Sequence, residues 1–241
     1  VTARAEDCFG CRYALVLVKA WQTERAADQL KVCLAEDGLA LTLQNGLGNR
    51  EVLAHRLGRK RVALGVTTLG ATLLEPGLVR MAGEGPITLE AQPRLAGLEA
   101  MLKAAGFSVQ VLGDARTVVW GKLVISAAIN PLTALLRVPN GELLKRPTAR
   151  RLLGELAGEA ARVAKARGVA LPFVSPTQAA EQVARRTADN RSSMLQDVLR
   201  GAPTEVEAIN GAVVRLGQRS GVPTPVNRLV WRLVKALTDQ D

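Results

Sequence analysis

The rhythm of hydrophobic positions changes once along this chain. In the first part, short apolar runs alternate with amphipathic stretches. Residues 13–18 (YALVLV) form an unbroken apolar run, the pattern of a strand covered on both faces. Residues 23–34 read as a helix with Thr23 as its cap, 39–43 as a second strand ending in Gln44-Asn45-Gly46, and 49–57 as another helix. The stretch 61–68 is rich in β-branched residues and predicts a third strand. Residues 78–81 and 87–90 are expected to pair with each other around Gly83 and Gly85. A helix over 94–105 stops at Gly106 and precedes a strand at 108–112. This alternation predicts an α/β layer with a mainly parallel sheet.

From about Thr117 onward the pattern is helical only, over 117–136, 147–167, 176–186, 193–199, 204–220 and 225–238. Pro147 and Pro176 suit first helical turns, and Gly168 and Gly221 suit helix ends. Two domains are therefore expected, residues 1–115 (α/β) and 116–241 (all-α), with a functional cleft between them.

Composition narrows the classes. The chain has 241 residues, 48% hydrophobic and 22% charged, as in an ordinary folded protein. The formal charge of +10 suits an anionic small molecule or a nucleic acid as partner. Yet Arg and Lys are spread along the chain, and the 3% aromatic content leaves few platforms for stacking bases. A solvated basic surface is the plainer reading, and no nucleic-acid partner is expected. Cys8, Cys11 and Cys33 form no disulfide framework, and Cys8 to Cys11 is a lone CxxC without a second pair or a nearby histidine, so no metal site is expected. The apolar run 118–136 carries Lys122, Ser126, Asn130 and Pro131 and does not read as a membrane span. The chain opens with a polar, mixed-charge segment, and a cytoplasmic location is expected.

That apolar run is the most informative segment. Its polar exceptions are Lys122, Ser126, Asn130 and Thr133. At about 100° per residue they fall at about 0°, 40°, 80° and 20°, all on one helix face. A buried, unpaired lysine is costly, so the stripe should line a polar cleft, a candidate catalytic site. A solvent-facing stripe on an amphipathic helix is the alternative. Pro131 should kink or unwind the helix beside Asn130.

Read as letters, residues 122–143 (KLVISAAINPLTALLRVPNGEL) closely resemble the hallmark segment of the ketopantoate reductase family. Residues 18–23 (VKAWQT), 43–49 (LQNGLGN), 190–197 (NRSSMLQD), Thr204-Glu205 and 209–211 (ING) resemble its other motifs, in the same order. The resemblance implies a partial Rossmann-like, doubly wound sheet followed by an all-α C-terminal domain. It implies NADPH-dependent reduction of 2-dehydropantoate to pantoate, in pantothenate and coenzyme A biosynthesis. It makes Lys122 the general acid and sets Glu205 across the cleft, supporting Lys122 and touching substrate or cofactor. Lys19, Asn45 and Ala71 match cofactor-contacting positions, with Gln22 beside them. Asn45, Lys122, Ser126, Asn130, Asn140, Asn190 and Ser193 match substrate-contacting ones. Each asparagine also has a plain reading as a turn or cap, Asn140 before Gly141 above all. The chemistry is coherent. Hydride addition to a 2-keto acid builds negative charge on oxygen, and a cation that can give up a proton stabilises and then neutralises it.

Two departures stand out. Ser126 occupies a position that is commonly asparagine in the family, which leaves a related 2-keto acid open as substrate. No GxGxxG occurs in the 241 residues, and Gly46-Leu47-Gly48 lacks the third glycine. By resemblance, Val1 falls inside the family's first domain, with about two βα units not represented, and weak NADPH binding by these residues alone is expected. A cofactor-less remnant or interaction module of the same fold is the rival function, and a homodimer is left open as the assembly.

Overall fold

The computed structural model describes residues 2–83 and 85–238; Val1 and 239–241, the outer limits of the two expected domains, lie outside them. The chain divides into two compact units, 1–44 with 48–115, and 116–241 with 45–47. The three-residue excursion 45–47 thus belongs with the helical unit.

The first unit is built on a five-stranded sheet of β1 (Cys11–Val16), β2 (Leu34–Thr42), β3 (Val62–Thr67), β6 (Ile87–Glu90) and β7 (Val109–Leu112), in the order β1-β2-β3-β6-β7. Pairing is parallel throughout except for antiparallel β3–β6. Alternate residues of β2 and its extension serve opposite faces, as a period of two requires. Ala40 packs with helices α1 (Thr23–Cys33) and α2 (Asn49–Leu57) on one side; Leu39, Leu41 and Leu43 pack with α3 (Ala96–Ala104) on the other. Coverage on both faces is why the end of β2 reads as an unbroken apolar run; the run 13–18 does not have that coverage, because β1 is the edge strand and Leu15, Leu17 and Val18 are exposed.

Two expectations fail here. The segment 78–81 does not pair with 87–90. It lies in β5 (Leu78–Gly83), which folds back on β4 (Gly70–Glu75) as a separate two-stranded sheet. The turn residue Gly77 has φ 86°, a conformation glycine adopts without strain. Nor does Thr23 cap α1. Gln22 is already in the right-handed helical region, and the Thr23 hydroxyl donates to Ala20 O at 2.7 Å and to Asn49 Oδ1 at 3.1 Å.

The second unit is helical, with no strand beyond Leu112 among the described residues. Its axis is α4 (Arg116–Leu136), surrounded by α6 (Pro147–Ala166), α7 (Pro176–Arg186), α8 (Ser193–Leu199) and α10 (Pro225–Thr238). A short helix, α5 (Glu142–Lys145), had no counterpart in the hydrophobic pattern. The expected helix 204–220 is in fact a π-helical turn, Glu207–Gly211, continued by α9 (Ala212–Arg219). Helix α4 is long and apolar enough to cross a membrane, yet 67% of its most apolar window is buried within the protein. The helix runs unbroken through Pro131, so the local unwinding expected beside Asn130 does not occur.

Candidate active site

The site begins with Lys122 on α4. Its side chain is partly buried. Burial pushes the Lys122 ammonium below the usual lysine range, and the charge of Glu205 holds it part of the way back. Glu205 is 5% exposed and lies just ahead of the π turn, its carbonyl accepting from the backbone N–H of Ala208 and of Ile209, both at 3.1 Å. One carboxylate oxygen of Glu205 accepts from Asn45 Nδ2 at 3.1 Å. Lys122, Glu205 and Asn45, drawn from three distant parts of the sequence, thus form one constellation.

The loop that delivers Asn45 is fixed by its glycine. Leu47 N–H donates to Ala208 O at 2.9 Å, seating the loop on the π turn. Gly46 has φ 80°, and a Cβ there would lie 2.4 Å from the Ala208 carbonyl oxygen. Only glycine allows both the conformation and the approach.

Further along α4, Ser126 and Asn130 are partly buried at successive turns above Lys122. Thr133 departs from the expected stripe. It is fully buried, donates to its own helix at Ile129 O and Asn130 O, and shares a 2.7 Å hydrogen bond with the Ser192 hydroxyl. A β-branched hydroxyl that can return to the preceding turn satisfies itself inside a core, so Thr133 locks α4 to α8 rather than facing a cleft.

Asn140 and Asn190 are brought side by side. Asn140 N–H donates to Asn190 O at 3.0 Å and Gly141 N–H to Ala188 O at 3.0 Å. A Cβ on Gly141 would sit 2.7 Å from that of Ala188, so this approach also needs glycine. The Asn140 side chain is 7% exposed; its Nδ2 donates to Thr187 Oγ1 at 2.8 Å, while its Oδ1 has no hydrogen-bond partner. Asn190 is exposed, and Ser193 opens α8 half-buried. Its neighbour Ser192, which the sequence reading did not single out, caps α8 by accepting from Leu195 N–H at 3.1 Å.

Two candidates lie in the first unit. Lys19 follows β1 and is partly buried, its N–H donating to Gln22 Oε1 at 3.1 Å. Ala71 lies exposed on β4.

Comparison with known proteins identifies the family. Residues 2–94 match the family described as "Ketopantoate reductase PanE/ApbA", and residues 114–238 match "Ketopantoate reductase PanE/ApbA C terminal". The chain belongs to the ketopantoate reductase family. A 2-dehydropantoate 2-reductase of Archaeoglobus fulgidus is 40% identical, the alignment covering 98% of this chain and 79% of that protein. The crystal structure of a PanE/ApbA family ketopantoate reductase from Ralstonia eutropha JMP134 superposes with a TM-score of 0.92 at 32% identity, over 99% of this chain and 79% of the other. D-mandelate dehydrogenase, solved with NADH and anilino(oxo)acetate, superposes with a TM-score of 0.87 at 25% identity, over 95% of this chain and 77% of the other. This family is one of oxidoreductases, and the fold of the chain is the family's fold.

Proposed function

We propose that the protein reduces 2-dehydropantoate to pantoate in the cytoplasm, with NADPH as hydride donor and Lys122 as general acid. The reaction follows from the family and the activity for which its relatives are named. The observation that carries the mechanism is the partly buried Lys122, its ammonium held below the usual range by burial and opposed by Glu205. An acid works best when its pKa approaches the working pH.

The residues present supply part of a dinucleotide site, without a GxGxxG turn for the pyrophosphate. Lys19 and Asn45 follow the carboxyl ends of the adjacent parallel strands β1 and β2, the ends at which open α/β sheets take such ligands. By the family resemblance, Lys19 and Ala71 in the first unit are cofactor-contacting positions, as are Asn45 and its hydrogen-bond partner Glu205 in the second. When bound, the reduced nicotinamide supplies the hydride that the ketone carbon accepts. As the C=O π pair moves onto oxygen, Lys122 Nζ gives that oxygen a proton, yielding the alcohol and a neutral amine that solvent reprotonates. Glu205 keeps the lysine charged until then. Ser126, Asn130, Asn140, Asn190 and Ser193 bind the small, polar substrate without adding charge. The unpartnered Asn140 Oδ1 supports its place among them, because a buried acceptor left empty costs about 1–3 kcal/mol.

Lys122→Ala tests the assignment. Turnover should fall about 10²–10⁴-fold, the usual range for general acid catalysis, while NADPH affinity measured by fluorescence titration stays the same. Lost NADPH binding with normal turnover on bound substrate would make Lys122 a cofactor ligand only.

A further inference from the structure

Pro131 leaves a debt inside α4. It has no N–H, so the carbonyl four residues earlier, that of Ala127, loses its helical partner. Ala127 is fully buried, where solvent cannot compensate. The replacement donor comes from elsewhere in the chain: Asn210 Nδ2 donates to Ala127 O at 2.9 Å.

The orientation of that amide is dictated from a distance. Glu159 on α6, 3% exposed, accepts from Val226 N–H at 3.0 Å, Asn227 N–H at 2.9 Å and Asn227 Nδ2 at 2.8 Å, at the start of α10. Asn227 Nδ2 also donates to Leu156 O at 3.2 Å. With its nitrogen turned to these acceptors, Asn227 presents Oδ1 to Asn210, whose Nδ2 donates to it at 3.0 Å. Asn210 must therefore aim its NH₂ group at both acceptors, one hydrogen to each. Its own Oδ1 has no hydrogen-bond partner, although the residue is fully buried. An amide that carries an empty acceptor is retained for its donors.

Asn210 lies in the π turn, five residues after Glu205, and Ala127 lies on α4, five residues after Lys122. We infer that Asn210 is a positioning residue, which ties the segment bearing Glu205 to the helix bearing Lys122 through the carbonyl freed by Pro131. The inference rests on the proposed function, in which Lys122 and Glu205 act together. Misplacing one partner of a reacting pair by about 1 Å can cost about a hundredfold, so the link has catalytic weight without touching substrate.

The test compares wild type, Asn210→Ala, Pro131→Ala and the double variant. The Lys122 titration is read directly from the NMR signal of ¹³C-labelled lysine Cε, with Glu205 as the charge acting on it. In Asn210→Ala the midpoint should move to lower pH, because Glu205 recedes while burial remains. The value of kcat should fall roughly tenfold to a hundredfold, with little change in KM for NADPH. Pro131→Ala returns an N–H to Ala127 O, so Asn210→Ala should lower Tm less in that background. Should Asn210→Ala fail to fold alone, the midpoint is compared between Pro131→Ala and the double variant, and the same downward shift is expected. An unchanged midpoint and kcat with only a lower Tm would make Asn210 a packing residue and overturn the inference. If Lys122→Ala leaves turnover unchanged, the catalytic reading fails, while the midpoint still reports whether Asn210 sets the Lys122–Glu205 spacing.

Discussion

Gly46 and Ala208 approach so closely that a methyl group on Gly46 would lie 2.4 Å from the Ala208 carbonyl oxygen. The loop carrying Asn45 is seated on the turn that follows Glu205 through Leu47 N–H and Ala208 O, and Asn45 donates to Glu205 beside that contact. Gly46→Ala should lift the loop and strain its positive φ. We expect a loss of about 1–3 kcal/mol in chemical denaturation, the usual cost of overpacking, and a weaker grip on NADPH in titration. Unchanged stability and affinity would mean that the loop relaxes freely.

The pH dependence of the reduction follows from Lys122. Its folded pKa lies below 10.5, and the acid must be protonated to act. The reduction rate should therefore fall as pH rises through that lowered value. Glu205→Gln removes the charge that opposes burial, so the falling limb should move to lower pH. A limb that stays in place in rate profiles of the variant would separate Glu205 from Lys122.

The same lysine weighs on stability. A group whose folded pKa is depressed binds fewer protons in the folded chain than in the unfolded one between the two values, so stability rises with pH across that window. Below it the cost of burying the ammonium is present in full; by the unfolded value it is gone. Lys122→Met should be more stable than wild type near neutral pH, inactive, and lose its advantage as pH climbs toward 10.5. Urea denaturation at several pH values measures this; a variant less stable at pH 7 contradicts it.

Gly141→Ala should act on substrate binding. The added methyl would meet the Ala188 side chain at 2.7 Å and part Asn140 from Asn190. KM for the keto acid should rise by roughly tenfold, as for loss of one well-made hydrogen bond to a buried polar group, with kcat less affected. Unchanged steady-state KM would remove the paired asparagines from substrate binding.

Much of the architecture was legible because hydrophobic period and capping chemistry agreed. Helices 49–57, 176–186, 193–199 and 225–238 were read at their observed bounds. The β4–β5 pairing was missed because Gly83 and Gly85 drew the turn away from Pro76-Gly77, a stronger signal that was present in the letters. Thr133 misled because helical angle alone cannot tell a cleft from a neighbouring helix that offers a hydroxyl, here that of Ser192. Lys122 stood out as a lone charge on a greasy helix. Asn210 did not, although Pro131 announced that some donor must reach Ala127. Sequence shows that a carbonyl is orphaned but not which distant side chain comes to it.

The π turn gives the site an unusual kind of sensitivity. Gly211 N–H reaches back five residues to Val206 O at 2.9 Å, so this turn holds one residue more than an α-helical turn would. Each residue of a helix advances direction by about 100°. Removing any one residue from 207–211 would let the ladder relax to ordinary spacing, and Glu205 would swing by about a quarter-turn while every side chain in the site kept its identity. The aim of the carboxylate is therefore a matter of counting as much as of chemistry: in this segment insertions and deletions should be tolerated less than most substitutions.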